Sequence, residues 1–214
     1  MTIPLKIDFV SDVSCPWCAI GLNALEKALE HLADDVTVDL HFQPFELNPS
    51  MPPEGQDIVE HLTQKYGSTP ESQTQAREAI RLRGASLGFV FRKEGVSRIY
   101  NTFDAHRLLH WAGIVTTQPA GLQRALKEAL LQAYFTDGEN PASHEVLLRV
   151  VSQVGLDIDR AREILAGGEY ADEVRKRERF YQDAGIHSVP AVIINDTHLI
   201  SGGQPVYYYI ISAE

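Results

Sequence analysis

The chain has 214 residues, a hydrophobic fraction of 44% and a formal net charge of −10, a size that suits one domain with an insertion or two closely packed parts. The acidic charge argues against a nucleic-acid partner, because binding a phosphate backbone needs a concentrated basic surface. Neither a secretory signal nor an apolar run long enough to cross a bilayer is visible, so we expect a cytoplasmic protein with no membrane partner.

The chain begins with a predicted β-α-β unit. Residues 5–10 are alternating and β-branched, which predicts a strand. From Pro16 to Leu32 the apolar residues recur at the spacing of one helix face. Residues 36–42 alternate again and predict a second strand, which the prolines of residues 43–55 end in a loop.

The middle of the chain is predicted to be helical. Glycine and proline signals separate helices at 56–66, 70–87, 100–113, 119–135, 143–153 and 157–166. Another helix, at 169–184, ends at Gly185, which suits a left-handed C-cap. The predicted strands 189–195 and 197–201 then pair across a tight Asn195-Asp196 turn.

The only two cysteines lie in Ser14-Cys15-Pro16-Trp17-Cys18, at the first switch from strand to helix. A disulfide that closes so short a loop stabilises a fold very little, so a structural role is a poor explanation. A structural zinc site needs four ligands, and the chain has no second cysteine pair to supply them. We therefore predict a redox dithiol and no metal site.

The two cysteines are expected to play different parts. A cysteine at a helix N-terminus faces unpaired backbone N–H groups, which favour its thiolate, and Cys15 is in that position. Pro16 suits the first helical turn, and Trp17 adds apolar surface beside the nucleophile. Cys18 lies one turn further in, so we expect it to be the resolving thiol that attacks a mixed disulfide on Cys15.

A second candidate element is Val189-Pro190, at the start of a predicted strand. A cis peptide bond there would turn the Val189 backbone outward and leave its N–H and C=O free to pair with a substrate strand. The alternative is an ordinary trans proline in a strand-entry loop. The occurrence of Val189-Pro190 in the same chain as the dithiol favours the cis form.

His106 and the segment 175–179 each leave two interpretations open. His106 lies on a predicted core-facing helix, where it is either structural and satisfied by a backbone carbonyl, or borders a substrate groove together with Phe103. In the second case, protonated His106 favours the Cys15 thiolate. The basic segment 175–179 is either the solvated face of a helix or a docking patch.

Together these motifs resemble the DsbA family of thioredoxin-fold thiol–disulfide oxidoreductases, in its FrnE-like branch. The resemblance runs through residues 8–21, 44–49, 101–108, 185–190 and 201–204. It implies an α/β, thioredoxin-like fold with an inserted all-α helical domain. The thioredoxin-like domain would comprise 1–54 and 168–214, and the insertion 55–167. The strand-prone residues 206–211 are expected to form a short helix, because that fold ends in one.

The resemblance also assigns roles to residues. It implies Cys15 as nucleophile, Cys18 as resolving thiol and Pro190 as the cis-proline, with Pro16, Trp17, Val189, Phe103 and His106 as candidates for substrate binding. Thioredoxin and DsbA carry a buried carboxylate six positions before the first cysteine, where this chain has Phe9. Asp12 or Glu46 could replace it as proton acceptor, or each could be a turn or capping residue.

The resemblance implies a disulfide oxidoreductase that acts on disulfide- or thiol-containing proteins or small molecules. It would need no cofactor beyond its own redox-active disulfide, with glutathione as a possible thiol partner. One alternative is a glutathione-dependent isomerase or transferase of the 2-hydroxychromene-2-carboxylate isomerase or kappa type. Those enzymes use a serine where this chain has Cys15. Another alternative is a binding module that presents the Pro190 edge to peptides.

Overall fold

A computed structural model describes residues 2–115 and 121–213. The predicted start of one helix, at 119–120, lies outside the described residues. The elements in chain order are β1 (Ile3–Ser11), α1 (Pro16–His31), β2 (Val36–Pro44), β3 (Gln56–Asp57), α2 (Ile58–Tyr66), α3 (Pro70–Leu87), β4 (Arg98–Ile99), α4 (Phe103–Val115), α5 (Gly121–Phe135), α6 (His144–Gln153), α7 (Ile158–Ala166), α8 (Ala171–Asp183), β5 (Ala191–Ile194), β6 (His198–Ser201) and α9 (Val206–Ala213).

Four of these strands form one sheet in the order β2-β1-β5-β6. The central strand β1 is parallel to β2 and antiparallel to β5, and β6 is antiparallel to β5. Residues 7–11 of β1 are all buried, because a central strand with helices on both faces exposes neither side. β1 thus leads directly from the protein interior into the segment that carries the dithiol.

The two faces of the sheet pack against different helices. Leu5, Ile7 and Phe9 share one hydrophobic cluster with residues of α1 and α9. On the opposite face, Val10 packs with Tyr181 of α8. This is the two-residue alternation expected of a strand.

Five helices, α4–α8, lie between β4 and β5, and the first four of them, α4–α7, build a further hydrophobic cluster. Val13, from the loop between β1 and α1, inserts into that cluster. The chain therefore has the predicted α/β, thioredoxin-like fold with a helical insertion. The domain boundaries at 54/55 and 167/168 stay predictions. None of the helices in the described part of the chain is long and apolar enough to cross a membrane.

Most local predictions agree with the structure. Asn195 and Asp196 form the tight turn with φ of 49° and 58°, and Gly185 has φ of 89° after α8. Residues 206–213 form the expected helix α9. In the chain past Gly121, the helices begin and end within two residues of their predicted bounds.

Two helices begin later than predicted, and local contacts explain the difference. The helix predicted from 56 begins at Ile58, because Gln56–Asp57 pairs with β4 and the Asp57 side chain accepts from backbone N–H groups of the first turn. The helix predicted from 100 begins at Phe103, whose N–H is bound by the Asn101 side chain at 2.9 Å. The β3–β4 pair itself was not predicted.

Candidate active site

Cys15 is the N-cap residue of α1. Its backbone is extended, with φ of −96° and ψ of 114°, and Pro16 opens the first turn as predicted. The Cys15 carbonyl accepts from the Cys18 N–H at 3.0 Å, which places the second cysteine one turn into the helix. Only 3% of Cys15 is exposed, whereas the adjacent Trp17 is 44% exposed. Both cysteines are free thiols in this structure.

The cis-proline loop lies directly against this helix start. The Val189–Pro190 peptide bond is cis, and the Cys15 Sγ donates to the Val189 carbonyl oxygen at 3.6 Å. A Cβ atom on Gly21 would lie 2.9 Å from Pro190 Cγ, so the absence of a side chain lets the proline ring approach α1. The structure thus brings together two segments that are 174 positions apart in sequence.

Cys18 is fully buried in the same hydrophobic cluster as Phe9. Burial raises the pKa of the Cys18 thiol well above its usual range, and the neighbouring Cys15 raises it further. The charge of Lys127 and backbone hydrogen bonding from Asp12 act in the opposite direction. Cys18 is therefore a protonated thiol in the resting site, which suits a resolving rather than an attacking group.

Asp12 holds the loop that precedes the dithiol. Its Oδ1 accepts from the Ser14 N–H at 3.2 Å, and its Oδ2 accepts from the Ser14 hydroxyl at 2.9 Å and the Leu47 N–H at 2.8 Å. Burial alone would raise the pKa of Asp12, but the adjacent His106, the Leu47 N–H and the charge of Lys127 lower it to about 2. An ionised, fully hydrogen-bonded carboxylate fits the turn-residue alternative.

His106 lies behind this loop. Its side chain is 2% exposed, and its Nε2 is 3.5 Å from Asp12 Oδ1. This contact with a carboxylate differs from the predicted backbone carbonyl partner. His106 is therefore connected to Cys15 through the Asp12 loop and lies beneath the protein surface.

Glu46 belongs to a second polar cluster beside the site. The Arg175 guanidinium bridges Glu46 and Glu178 and lies 3.9 Å from the centroid of the Phe103 ring. Burial and the charge of Glu178 raise the pKa of Glu46 to about 7. Lys176, Arg177 and Arg179 are exposed, as expected of a solvated helix face. Arg175 differs from them because it is partly buried and faces acidic partners.

The fully buried Lys127 of α5 was not predicted as a site residue. Its Nζ has no hydrogen-bond partner among the residues that the structure describes. Its position could have been noticed in the sequence, because a lysine interrupts the apolar face of α5 formed by Leu126, Leu130 and Leu131. Burial lowers the pKa of Lys127.

The structure brings together only part of the predicted set. Cys15, Cys18, Val189 and Pro190 form one cluster, to which Pro16 and Trp17 belong by their place in the first turn of α1. His106 is connected to that cluster through Asp12. Phe103 is connected more remotely, through Arg175 and Glu46. Within residues 2–115 and 121–213, no group of three His, Cys, Asp or Glu side chains is arranged to hold a metal ion.

A thioredoxin-like fold that carries a Cys-x-x-Cys pair at a helix N-terminus, against a cis-proline, defines a thiol–disulfide oxidoreductase. The comparison with known families agrees with this class. The model of the DSBA-like thioredoxin domain matches residues 6–208, and the chain belongs to that family.

Three similar proteins illustrate the relationship. A probable DsbA oxidoreductase from Streptomyces coelicolor is 30% identical, with a TM-score of 0.88 over 97% of this chain and 88% of its own. The uncharacterized protein YwbO of Bacillus subtilis is 29% identical over 100% of this chain and 98% of its own length. A 2-hydroxychromene-2-carboxylate isomerase structure is 13% identical, with a TM-score of 0.73 over 97% and 93%; this likeness shows the fold alone.

Proposed function

We propose that this protein exchanges disulfides with proteins or small thiols through a mixed disulfide on Cys15, which Cys18 resolves. The observation that carries the proposal is the contact of the Cys15 Sγ with the Val189 carbonyl, 3.6 Å away. It places the nucleophile beside a backbone group that a bound peptide can use. The burial of Cys18 behind Cys15 supports the division of roles.

The exchange takes place in two steps. The Cys15 thiolate attacks one sulfur of a substrate disulfide, a new S–S bond forms, and the other substrate sulfur leaves as a thiolate. Cys18 then attacks Cys15 Sγ, and the second substrate sulfur leaves. The substrate disulfide gains two electrons and the dithiol loses them, and the reverse sequence oxidises a substrate dithiol.

Substrate binding is proposed to involve the groups around Cys15. The half-buried Val189 offers its backbone, and the exposed Trp17 offers an apolar surface beside Pro16. Phe103 and His106 stay candidates, of which His106 acts through the Asp12 loop because its side chain is buried. Glutathione is the proposed small-thiol partner.

The wider assignment is also a proposal. We assign the chain to the FrnE-like branch and to the cytoplasm, with substrates that are proteins or small molecules containing a thiol or a disulfide. The net charge of −10 supports partners other than nucleic acid and acidic membrane surfaces.

The test is covalent trapping. Cys18→Ala lacks the resolving thiol, so it should accumulate mixed disulfides on Cys15 and should no longer catalyse insulin reduction by dithiothreitol. The double variant Cys15→Ala/Cys18→Ala has the same fold requirements and no thiol, and serves as the control for non-specific capture. If Cys18→Ala captures no more partner than this control, the proposed mechanism is wrong.

The glutathione-dependent isomerase is the competing activity. It needs one thiol-binding position and no second cysteine, whereas this chain has a second buried thiol one helical turn after the first. Isomerase activity that persists in Cys18→Ala, together with an inert parent protein in the insulin assay, would reverse the ranking of the two activities.

A further inference from the structure

Helix α5 of the insertion is anchored to the sheet beside the dithiol. The Gln123 side chain accepts from the Phe42 N–H and donates to the Phe42 and Leu109 carbonyls, each at 3.1 Å. These bonds tie α5 to β2 and to α4. Lys127 lies four residues further on, and therefore one turn along the same face of the helix.

That face of α5 reaches the hydrophobic cluster that contains both cysteines. Leu131 and Tyr134, from the next turns of α5, belong to the cluster of Cys15 and Cys18. Lys127 itself is fully buried, and its Nζ has no hydrogen-bond partner in the described part of the chain. A buried amine without a partner costs folding free energy and returns no hydrogen bond to the fold.

The charged and titratable groups around Lys127 come from three elements. Cys18 of α1, Asp12 of the preceding loop and Cys15 are its electrostatic neighbours. His106 and His110 of α4 line the same small cavity as Lys127. Burial lowers the pKa of Lys127, while Cys18, Asp12 and Cys15 act in the opposite direction.

No carboxylate serves Cys18 from the strand before the dithiol. Phe9 and the other β1 residues on that face, Leu5 and Ile7, are apolar and buried in the Cys18 cluster. Asp12 is ionised and engaged by three donors, as described above. Glu46 is paired with Arg175, and His106 faces Asp12. The buried amine of Lys127 has no hydrogen-bond partner in the described part of the chain and interacts electrostatically with Cys18.

We propose that Lys127 is the proton acceptor of Cys18 when the mixed disulfide is resolved, and its proton donor when the dithiol is reduced again. This inference rests on the proposed function. In the resolving step the neutral amine takes the proton of the Cys18 thiol, and the thiolate attacks Cys15 Sγ. A Cys18–Cys15 bond forms, the Cys15–substrate S–S bond breaks, and the substrate leaves as a thiolate. The Asp12 carboxylate stabilises the resulting ammonium.

The reverse step restores the starting state. An external thiolate attacks Cys15 Sγ of the disulfide, and Cys18 leaves and regains its proton from the Lys127 ammonium. The proton is thus held on the insertion helix for as long as the dithiol is oxidised. No group outside the protein is needed to exchange it during the cycle.

The experiment separates the two chemical steps in one reaction. When 5,5′-dithiobis(2-nitrobenzoate) reacts with the reduced protein, the first release of thionitrobenzoate reports attack by Cys15 and the second reports attack by Cys18. In the parent protein, we expect a second release whose rate is nearly independent of pH above neutrality. If Cys18 instead loses its proton to the solvent, that rate rises about tenfold per pH unit.

Lys127→Met keeps the length of the side chain and removes the amine. We expect the second release to slow by about tenfold or more near neutral pH and to become steeply pH-dependent, while the first release changes by less than about threefold. Lys27→Met, on α1 and partly exposed, makes the same replacement without touching the buried cluster. It should leave both releases unchanged.

Three results would overturn the role of Lys127: an unchanged second release in Lys127→Met, an equal slowing of both releases, or a parent profile that climbs about tenfold per pH unit. The pH profile of the second release in the parent protein tests the role of Lys127 even if Lys127→Met does not fold. Absence of the first release in the parent overturns the proposed function itself, so the two failures are distinguishable.

Discussion

Asp12 gives the sharpest test of how the loop before the dithiol is held. Its buried carboxylate accepts three hydrogen bonds, two from Ser14 and one from the Leu47 N–H. Asp12→Asn preserves the shape of the side chain and replaces one accepting oxygen by an NH₂ group. That group faces a donor, so one buried donor loses its acceptor and the negative charge beside His106 disappears.

The expected cost follows from these contacts. A hydrogen bond to a charged group contributes about 1.5–3 kcal/mol, and an unsatisfied buried donor costs about 1–3 kcal/mol. We therefore expect Asp12→Asn to lower the free energy of unfolding near pH 7 by about 3 kcal/mol. This is a large effect for one side chain, because both carboxylate oxygens of Asp12 are buried and accept hydrogen bonds.

The pKa of Asp12 adds a pH signature. Since the folded pKa of about 2 lies below the value of 3.8 for a free carboxyl, the carboxylate stabilises the fold above about pH 4, and this stabilisation is lost as the pH falls through the folded pKa. The shift corresponds to about 2 kcal/mol. The difference in stability between the parent and Asp12→Asn should narrow by roughly half of that amount on lowering the pH to about 3.

Urea denaturation followed by circular dichroism, at several pH values between about 3 and 7, measures both quantities. Asp34→Asn removes the same charge at an exposed position and should change stability by less than about 0.5 kcal/mol. A loss below about 1 kcal/mol for Asp12→Asn, with a difference that does not vary with pH, would refute this account of the loop.

Three further predictions concern the surroundings of the dithiol. His106→Ala should shift the pH dependence of Cys15 alkylation, because His106 faces the carboxylate that holds the loop before Cys15; an iodoacetamide rate profile measures it. Glu46→Gln should gain stability relative to the parent between about pH 4.5 and 7 in denaturant titrations, because burial raises the pKa of Glu46 to about 7 and ionisation then costs folding free energy. Gly21→Ala should lower the free energy of unfolding by about 1–3 kcal/mol and slow insulin reduction, because the new Cβ meets Pro190 at 2.9 Å.

Each of these variants has a matched control outside the site. His31→Ala and Glu30→Gln alter exposed side chains of α1, and Gly168→Ala adds a Cβ that meets no atom within 4 Å. An alkylation profile identical to the parent's would remove His106 from the site. A stability difference for Glu46→Gln that is constant with pH would contradict the raised pKa of Glu46. Full activity and stability in Gly21→Ala would contradict the close approach of Pro190 to α1.

Much of the fold was predictable because its signals are local. The apolar spacing after Pro16, the glycine after α8 and the Asn195-Asp196 turn each act within a few residues, and the structure has α1, α8 and the β5–β6 hairpin where these signals place them. The β3–β4 pair escaped prediction. Two strands of two residues each contain no periodicity, and their pairing depends on segments that are distant in sequence.

The sequence by itself determined the dithiol, its place at the start of a helix and the cis-proline candidate, because residue type and spacing along the chain define these features. Only the tertiary structure decided which charges surround them. Arg175 belongs to a basic segment in sequence, yet it pairs with Glu46 and Glu178. Lys127 enters the Cys18 environment only because α5 folds back onto the sheet. The electrostatic environment of a buried group is a sum over its spatial neighbours, and most of these are far apart along the chain.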